Sequence, residues 1–185
     1  AHWPGSRVDV AEIDPVVVEA NYQALGLPRD TTIRTFIGDA RNVVDKLPAD
    51  ARYDLVVGDA FNDLSVPFHL TTLEFTQTIA RHMTDKGVYL VNVIDDWESG
   101  QFLAAYIRTL EQVFPHVYGF CTEEGGVCKG RDTFVLVGAR QPLDLLLPLA
   151  IANPQISVTR GTDAPLFEEG CSSFQKFRGD VVRPD

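Results

Sequence analysis

Cysteine is scarce in this sequence, which has Cys121, Cys128 and Cys171 and no others among its 185 residues. So few, and an odd number, do not make a disulfide framework. The count favours a reducing compartment and a cytoplasmic protein. His116, Cys121 and Cys128 lack the paired CxxC spacing of a structural metal site, so no metal is expected. Positive charge is also short, with 16 Lys and Arg against 26 Asp and Glu and a net charge of −10. A nucleic-acid backbone or an anionic membrane surface would repel such a chain, so neither is expected as a partner, whereas a cationic substrate is compatible with it. No apolar run approaches membrane-spanning length and no signal peptide precedes Val8, so the chain reads as soluble. Internal repeats, low-complexity tracts and dividing linkers are likewise missing.

What is present is a hydrophobic fraction of 45%, enough for the core of one compact unit. The chain is organised around Arg7 to Pro15, RVDVAEIDP. Val8, Val10 and Ile13 read as a strand, with Asp14 as helix N-cap and Pro15 as the first helical residue. Glu12 then falls at the carboxyl edge of a buried parallel strand, where open α/β sheets bind their ligands. A carboxylate there, with no basic residue close in sequence, suits the two hydroxyls of a ribose. The competing reading is a solvated strand end.

The pattern repeats downstream. A helix after Pro15 ends at Gly26 and Pro28, and Thr32 to Ile37 forms a strand that closes on Gly38, Asp39 and Ala40 before a short helix. Tyr53 to Val57 is a nearly continuous apolar run, as expected of a strand covered on both faces, and it delivers Gly58, Asp59 and Ala60 to its end. Three successive strands therefore finish on acids: Glu12, Asp39 and Asp59. The loop FNDLSVPFHL, Phe61 to Leu70, has the character of a lid. It precedes a helix with Thr72, Phe75, Ile79 and Met83 on one face. Gly87 opens a strand that ends at Ile94, Asp95 and Asp96, and a long amphipathic helix with Phe102, Leu103, Tyr106, Leu110 and Val113 follows. His116 to Cys121 and Thr133 to Val137 are joined by so short a connection that they must be antiparallel. Pro142 to Leu149 reads as a short helix, and Asn153 to Asp185 has no sustained period.

The remaining polar candidates read as structural. His69 suits capping or packing better than proton transfer, Trp97 has a possible ligand contact, Tyr106 lies on the buried helical stripe, and Asp95 with Asp96 reads as a solvated turn.

VDVAEIDP, then IGDAR, then YDLVVGDAF with PFHLTTLEF, then GVYLVNVI resembles the spermidine synthase-like (aminopropyltransferase) group of the class I S-adenosylmethionine-dependent methyltransferase fold, over about residues 3 to 138. The resemblance implies an α/β, Rossmann-like architecture with a mainly parallel sheet and a terminal antiparallel hairpin. It implies binding of S-adenosylmethionine or its decarboxylated form as co-substrate. Glu12 matches the acid that holds the ribose hydroxyls, Ile13 the apolar residue against the adenine, Asp39 the acceptor of the adenine amino group and Ala40 the backbone near the ring edge. Asp59 matches the catalytic carboxylate beside the sulfonium, where an attacking amine sheds a proton. The expected partner is a small amine such as putrescine, in polyamine biosynthesis, with a homodimer possible.

Two departures accompany the match. The family motif D-S/T-S/T-D-P places a second carboxylate three residues after the first, whereas Asn62 stands there and Asp63 follows. The form DAF...VP.HL is closer to bacterial spermidine synthase-like proteins, a subgroup whose tail motif TDAP at Thr162 to Pro165 faintly resembles. The family's first strand and glycine-rich loop, expected about 20 residues before Val8, are absent, and Gly125-Gly126 in the hairpin does not replace them. The chain is therefore expected to be part of a longer polypeptide. Three functions stay open: aminopropyl transfer, methyl transfer from the same nucleoside pocket, and a non-catalytic relative or interaction module. The domain reading is a nucleoside-binding domain over 1–140, incomplete at its N-terminus, with 141–185 packing on it as an extension.

Overall fold

The computed structural model of the chain describes residues 5–60, 66–121, 128–143 and 159–160. Where composition predicts one compact unit, the chain divides into two, Ala1–Ala49 and Asp50–Asp185. The division follows from backbone pairing: among the described residues no ladder joins the sheet of the first unit to that of the second.

The first unit is a parallel pair of strands with two helices. Strand β1 (Asp9–Glu12) pairs with β2 (Arg34–Ile37) in a register that sets Asp9 opposite Arg34 and Glu12 opposite Ile37. Helix α1 (Pro15–Gln23) begins as the sequence predicts. The Asp14 side chain accepts from the Val16 amide at 2.8 Å, satisfying an orphan N–H, and Pro15 needs no hydrogen bond at its position. Gly38, at φ 150°, turns the chain from β2 into α2 (Ala40–Asp45). The Arg34 guanidinium grips Asp9 with both ends, Nε to Oδ1 at 2.6 Å and Nη2 to Oδ2 at 2.5 Å. The expectation that β1 is buried does not hold. Val10 within it and Val8 just before it are 38% and 44% exposed, and β1 has only β2 as a ladder partner among the described residues.

The second unit holds the core. Its sheet has the order β3-β4-β6-β5-β7, built from β3 (Tyr53–Gly58), β4 (Met83–Asp96), β5 (His116–Cys121), β6 (Arg131–Ala139) and β7 (Thr159–Arg160). β3 runs parallel to β4, while β6 lies between β4 and β5 and is antiparallel to both, so the sheet is mixed. The expected β5–β6 hairpin is present.

Alternation along β4 sends Gly87, Tyr89, Val91 and Val93 to the buried face and leaves Val88, Leu90, Asn92 and Ile94 half-buried on the other. Helices α3 (Leu73–Arg81) and α4 (Phe102–Glu111) touch one another and both contact β4. They bury Phe75, Ile79, Leu103, Tyr106, Ile107 and Leu110. A one-turn 3-10 helix (Phe68–Leu70) precedes α3, whose N-cap is Thr72. Met83, which the helical pattern assigns to α3, instead starts β4 and faces Tyr53, because His82 already caps the helix.

Two further expectations are corrected. β3 is not covered on both faces, since Leu55 and Val57 are 51% and 59% exposed: the apolar run records a capacity for burial, and these two side chains remain more than half open. Cys121 and Cys128 are joined in a disulfide. A single bond between the two ends of a hairpin loop needs no framework, only the close approach that antiparallel pairing provides. The readings placed on Asn62 and Asp63, Gly125-Gly126, Thr162 to Pro165, Cys171, the 144–149 part of the proposed helix, and most of the 141–185 extension lie outside the described residues.

Candidate functional site

Each of the three acids falls where its strand ends. In the first unit, Glu12 closes β1, and its Oε1 accepts from the Asp14 amide at 2.8 Å. That bond fixes the carboxylate at the strand end while its other oxygen has no partner among the described residues. Ile13 is 69% exposed, so an apolar surface stands directly beside the carboxylate. The Gly38 amide donates to the Glu12 carbonyl at 2.9 Å, which holds the end of β2 against the end of β1. Asp39 follows Gly38 as the N-cap of α2, its Oδ1 accepting from the Arg41 and Asn42 amides at 3.0 and 3.2 Å. Ala40, half-buried, is the first residue of that helix. Glu12, Ile13, Asp39 and Ala40 thus share the carboxyl edge of one parallel sheet, the edge at which such sheets bind ligands. Asp39 also has a structural duty as a cap, a role its type serves in any protein.

In the second unit Asp59 follows the last residue of β3 and is exposed. Its Oδ1 accepts from Nδ2 of Asn92 at 2.9 Å. Asn92 is not among the candidates named from sequence, although a lone amide in the apolar run LVNVI is a visible signal, because a strand of that composition otherwise buries its side chains. Beneath Asp59, a Cβ on Gly58 would lie 3.2 Å from the Tyr89 hydroxyl. Tyr89 is buried against Tyr106, with 3.4 Å between the two hydroxyl oxygens.

The other candidates have structural employment. Asp95 accepts from the Leu103 amide at 2.7 Å, supplying a cap to α4, whose own N-cap residue Gln101 makes no side-chain bond. Asp96 accepts from the amide and hydroxyl of Ser99; these bonds, the side-chain one first, hold its carboxyl below the usual range. Trp97 is core, stacked on Phe134 with ring centroids 5.8 Å apart. Tyr106 is core as expected, and His69 sits edge-on to Phe68 in the 3-10 turn. Among the described residues no group of His, Cys, Asp and Glu is placed to hold a metal ion, and no helix is long and apolar enough to cross a membrane.

No family model matches the chain. A 53-residue stretch, 29% of the chain, is 58% identical to a peptide deformylase of Opitutus terrae and covers 28% of that protein. Over 119 residues, 64% of the chain, it is 29% identical to the polyamine aminopropyltransferase of Vibrio vulnificus, covering 39% of that enzyme. Over 125 residues, 63% of the chain, it is 26% identical to the eEF1A lysine and N-terminal methyltransferase of Xenopus laevis, covering 18% of it. The chain thus spans well under half the length of these curated relatives.

Among solved structures, a probable spermidine synthase from Corynebacterium glutamicum superposes with a TM-score of 0.73 at 18% identity, over all of this chain and 65% of the other. Human methyltransferase-like protein 13, solved with SAH, superposes with a TM-score of 0.62 at 18% identity, over all of this chain and 75% of the other. By sequence the chain is similar to polyamine aminopropyltransferases, and by architecture it has the Rossmann-like fold shared by spermidine synthases and class I methyltransferases.

Proposed function

We propose that this chain takes part in aminopropyl transfer, moving the three-carbon amine arm of decarboxylated S-adenosylmethionine to a small amine such as putrescine. The observation that carries this reading is the similarity to the Vibrio aminopropyltransferase over 64% of the chain. It is supported by the carboxylates found at the carboxyl ends of β1, β2 and β3.

In this reading Glu12 accepts the ribose hydroxyls through the oxygen that Asp14 leaves open, a carboxylate having room for about four hydrogen bonds. Ile13 lies against the adenine, and Asp39 and Ala40 meet its edge. Asp59 works on the other reactant. The lone pair of the neutral amine forms a bond to the methylene beside the sulfonium. The carbon–sulfur bond breaks with its electrons going to sulfur, and methylthioadenosine leaves as a neutral thioether. The amine nitrogen gains a positive charge as it attacks and must lose a proton. An exposed carboxylate held by Asn92 can stabilise that charge and accept the proton.

A second reading, methyl transfer from S-adenosylmethionine, is supported by the similarity to the Xenopus methyltransferase and by Asn62 standing where the aminopropyltransferase motif has a second acid. The deformylase likeness covers 29% of the chain and carries no functional reading of it.

Product analysis separates the readings. With putrescine and decarboxylated S-adenosylmethionine, formation of methylthioadenosine supports aminopropyl transfer. S-adenosylhomocysteine formed from ordinary S-adenosylmethionine supports methyl transfer. Neither product, across several amines, overturns both and leaves a binding module. Glu12→Gln should weaken stabilisation by methylthioadenosine, since a charged acceptor is worth about 1.5–3 kcal/mol, or roughly one to two powers of ten in affinity. Asp59→Asn should lower kcat with little change in nucleoside binding.

A further inference from the structure

We propose that Asn92 is a positioning residue for Asp59, holding that carboxylate in place at some expense to the fold. The inference rests on the reading of Asp59 given above and extends it to a residue on the neighbouring strand. In the parallel register of β3 and β4, Gly58 lies beside Val91, so the next step along each strand brings Asp59 beside Asn92. Asn92 itself faces Val135 of β6 across the antiparallel ladder. The amide nitrogen donates to Asp59 Oδ1 at 2.9 Å. The reverse orientation of the amide would set two acceptors against each other, so the donor end must face the carboxylate.

The other end of the same amide is the informative one. Asn92 Oδ1 is buried and has no hydrogen-bond partner among the described residues. A carbonyl oxygen removed from water with nothing donating to it is a net cost to folding. The surroundings do not ask for an amide: the residue stands in a run reading LVNVI, with half-buried Leu90 and Ile94 on the same face of β4. Valine would suit this strand better on packing and on strand preference. What valine lacks is the donor. One carboxylate oxygen tied down from the adjacent strand leaves Asp59 Oδ2, which has no partner among the described residues, as the atom presented to an arriving amine. Fixing the side chain beforehand saves the cost of ordering it during reaction.

The test compares Asn92→Val, Asp59→Asn and the double variant by turnover of putrescine with decarboxylated S-adenosylmethionine, by thermal unfolding, and by NMR of the Asn92 side-chain amide. Asn92→Val should lower kcat roughly 10- to 100-fold, the loss expected when a reacting group is misplaced by about an ångström. It should leave the KM for the nucleoside donor within about twofold and the melting temperature at or above that of the parent. The double variant should turn over like Asp59→Asn alone, since an orienting group has nothing left to orient. Full kcat in Asn92→Val alongside an impaired Asp59→Asn overturns the proposal, as does strict additivity of the two losses.

If Asp59→Asn turns over normally, or no protein turns over, it is the reading of Asp59 as the reacting carboxylate that has failed. The amide resonance then decides the structural half. It should change in Asp59→Asn, and a signal indifferent to that substitution overturns the contact itself.

Discussion

The hydroxyl of Tyr89 occupies the space in which a side chain on Gly58 would begin, 3.2 Å from the ideal Cβ position. Tyr89 is only 2% exposed and its oxygen lies 3.4 Å from that of Tyr106, so it has little room to retreat. Gly58→Ala is therefore expected to destabilise the protein by about 1–3 kcal/mol, the usual cost of an extra methyl in a packed site. Urea unfolding in the Tyr89→Phe background provides the check. Removing the hydroxyl should recover part of the loss, and an unchanged cost would mean the crowding lies elsewhere.

The Cys121–Cys128 disulfide closes a short loop, with a sequence separation of 7. Cross-linking so few residues restricts the unfolded chain by about 2–3 kcal/mol. Reductant should lower the unfolding midpoint accordingly, and Cys128→Ser should reproduce the shift and abolish its dependence on reductant. A midpoint indifferent to reductant in the parent would show that the bond does not contribute.

Asp9 and Arg34 form the cross-strand ion pair of the first unit, and the Asp9 side chain is 7% exposed while that of Arg34 is 52% exposed. The asymmetry sets the prediction. Arg34→Met removes two charged hydrogen bonds from a carboxylate that remains buried, at a cost of about 1–3 kcal/mol. Asp9→Asn should cost less, because the half-exposed guanidinium can still reach water. Hydrogen exchange of the β1 and β2 amides would report both effects, and equal losses would contradict the argument.

Burial, ahead of the neighbouring hydroxyl, pushes Tyr89 well above the ordinary tyrosine value of 10.0, and burial also raises Tyr106. A folded-state pKa above the unfolded one means that the folded chain holds its proton more tightly. The associated stability is complete below about pH 10 and is lost as pH rises through the folded value. Alkaline unfolding should accordingly become less steep in Tyr89→Phe. Titration of phenolate absorbance alongside urea midpoints would test this, and an unaltered alkaline limb would remove Tyr89 as its cause.

Local signals in the sequence translated well. Asp14 followed by Pro15 specifies a helix start by chemistry confined to three residues, and the structure has that cap. The strand ends at Glu12, Asp39 and Asp59, the β5–β6 hairpin and the burial of Tyr106 were legible for the same reason: each depends on near neighbours or on a simple period. What escaped depends on partners distant in sequence. Asp95 and Asp96 look alike in the chain, yet Asp95 caps a helix eight residues on while Asp96 closes a turn with Ser99. Trp97 is taken up by Phe134, and Asn92 gains meaning only once β3 is aligned beside β4. Exposure of Leu55 was illegible because periodicity states which residues can be covered and not what arrives to cover them.

That last point bears on handling the protein in concentrated solution. β3 reads YDLVVG, six residues rich in strand formers with one charge and no proline, and it has a ladder on one side only among the described residues. Segments of this kind, left with an unpaired flank and with Leu55 and Val57 more than half exposed, are templates for intermolecular sheet growth. Asp54, exposed within the run, is its sole charged gatekeeper. Asp54 also accepts from the Thr84 hydroxyl at 3.0 Å, so its carboxylate both anchors the β3–β4 pair and charges the open flank, and Asp54→Asn should hasten precipitation of the chain.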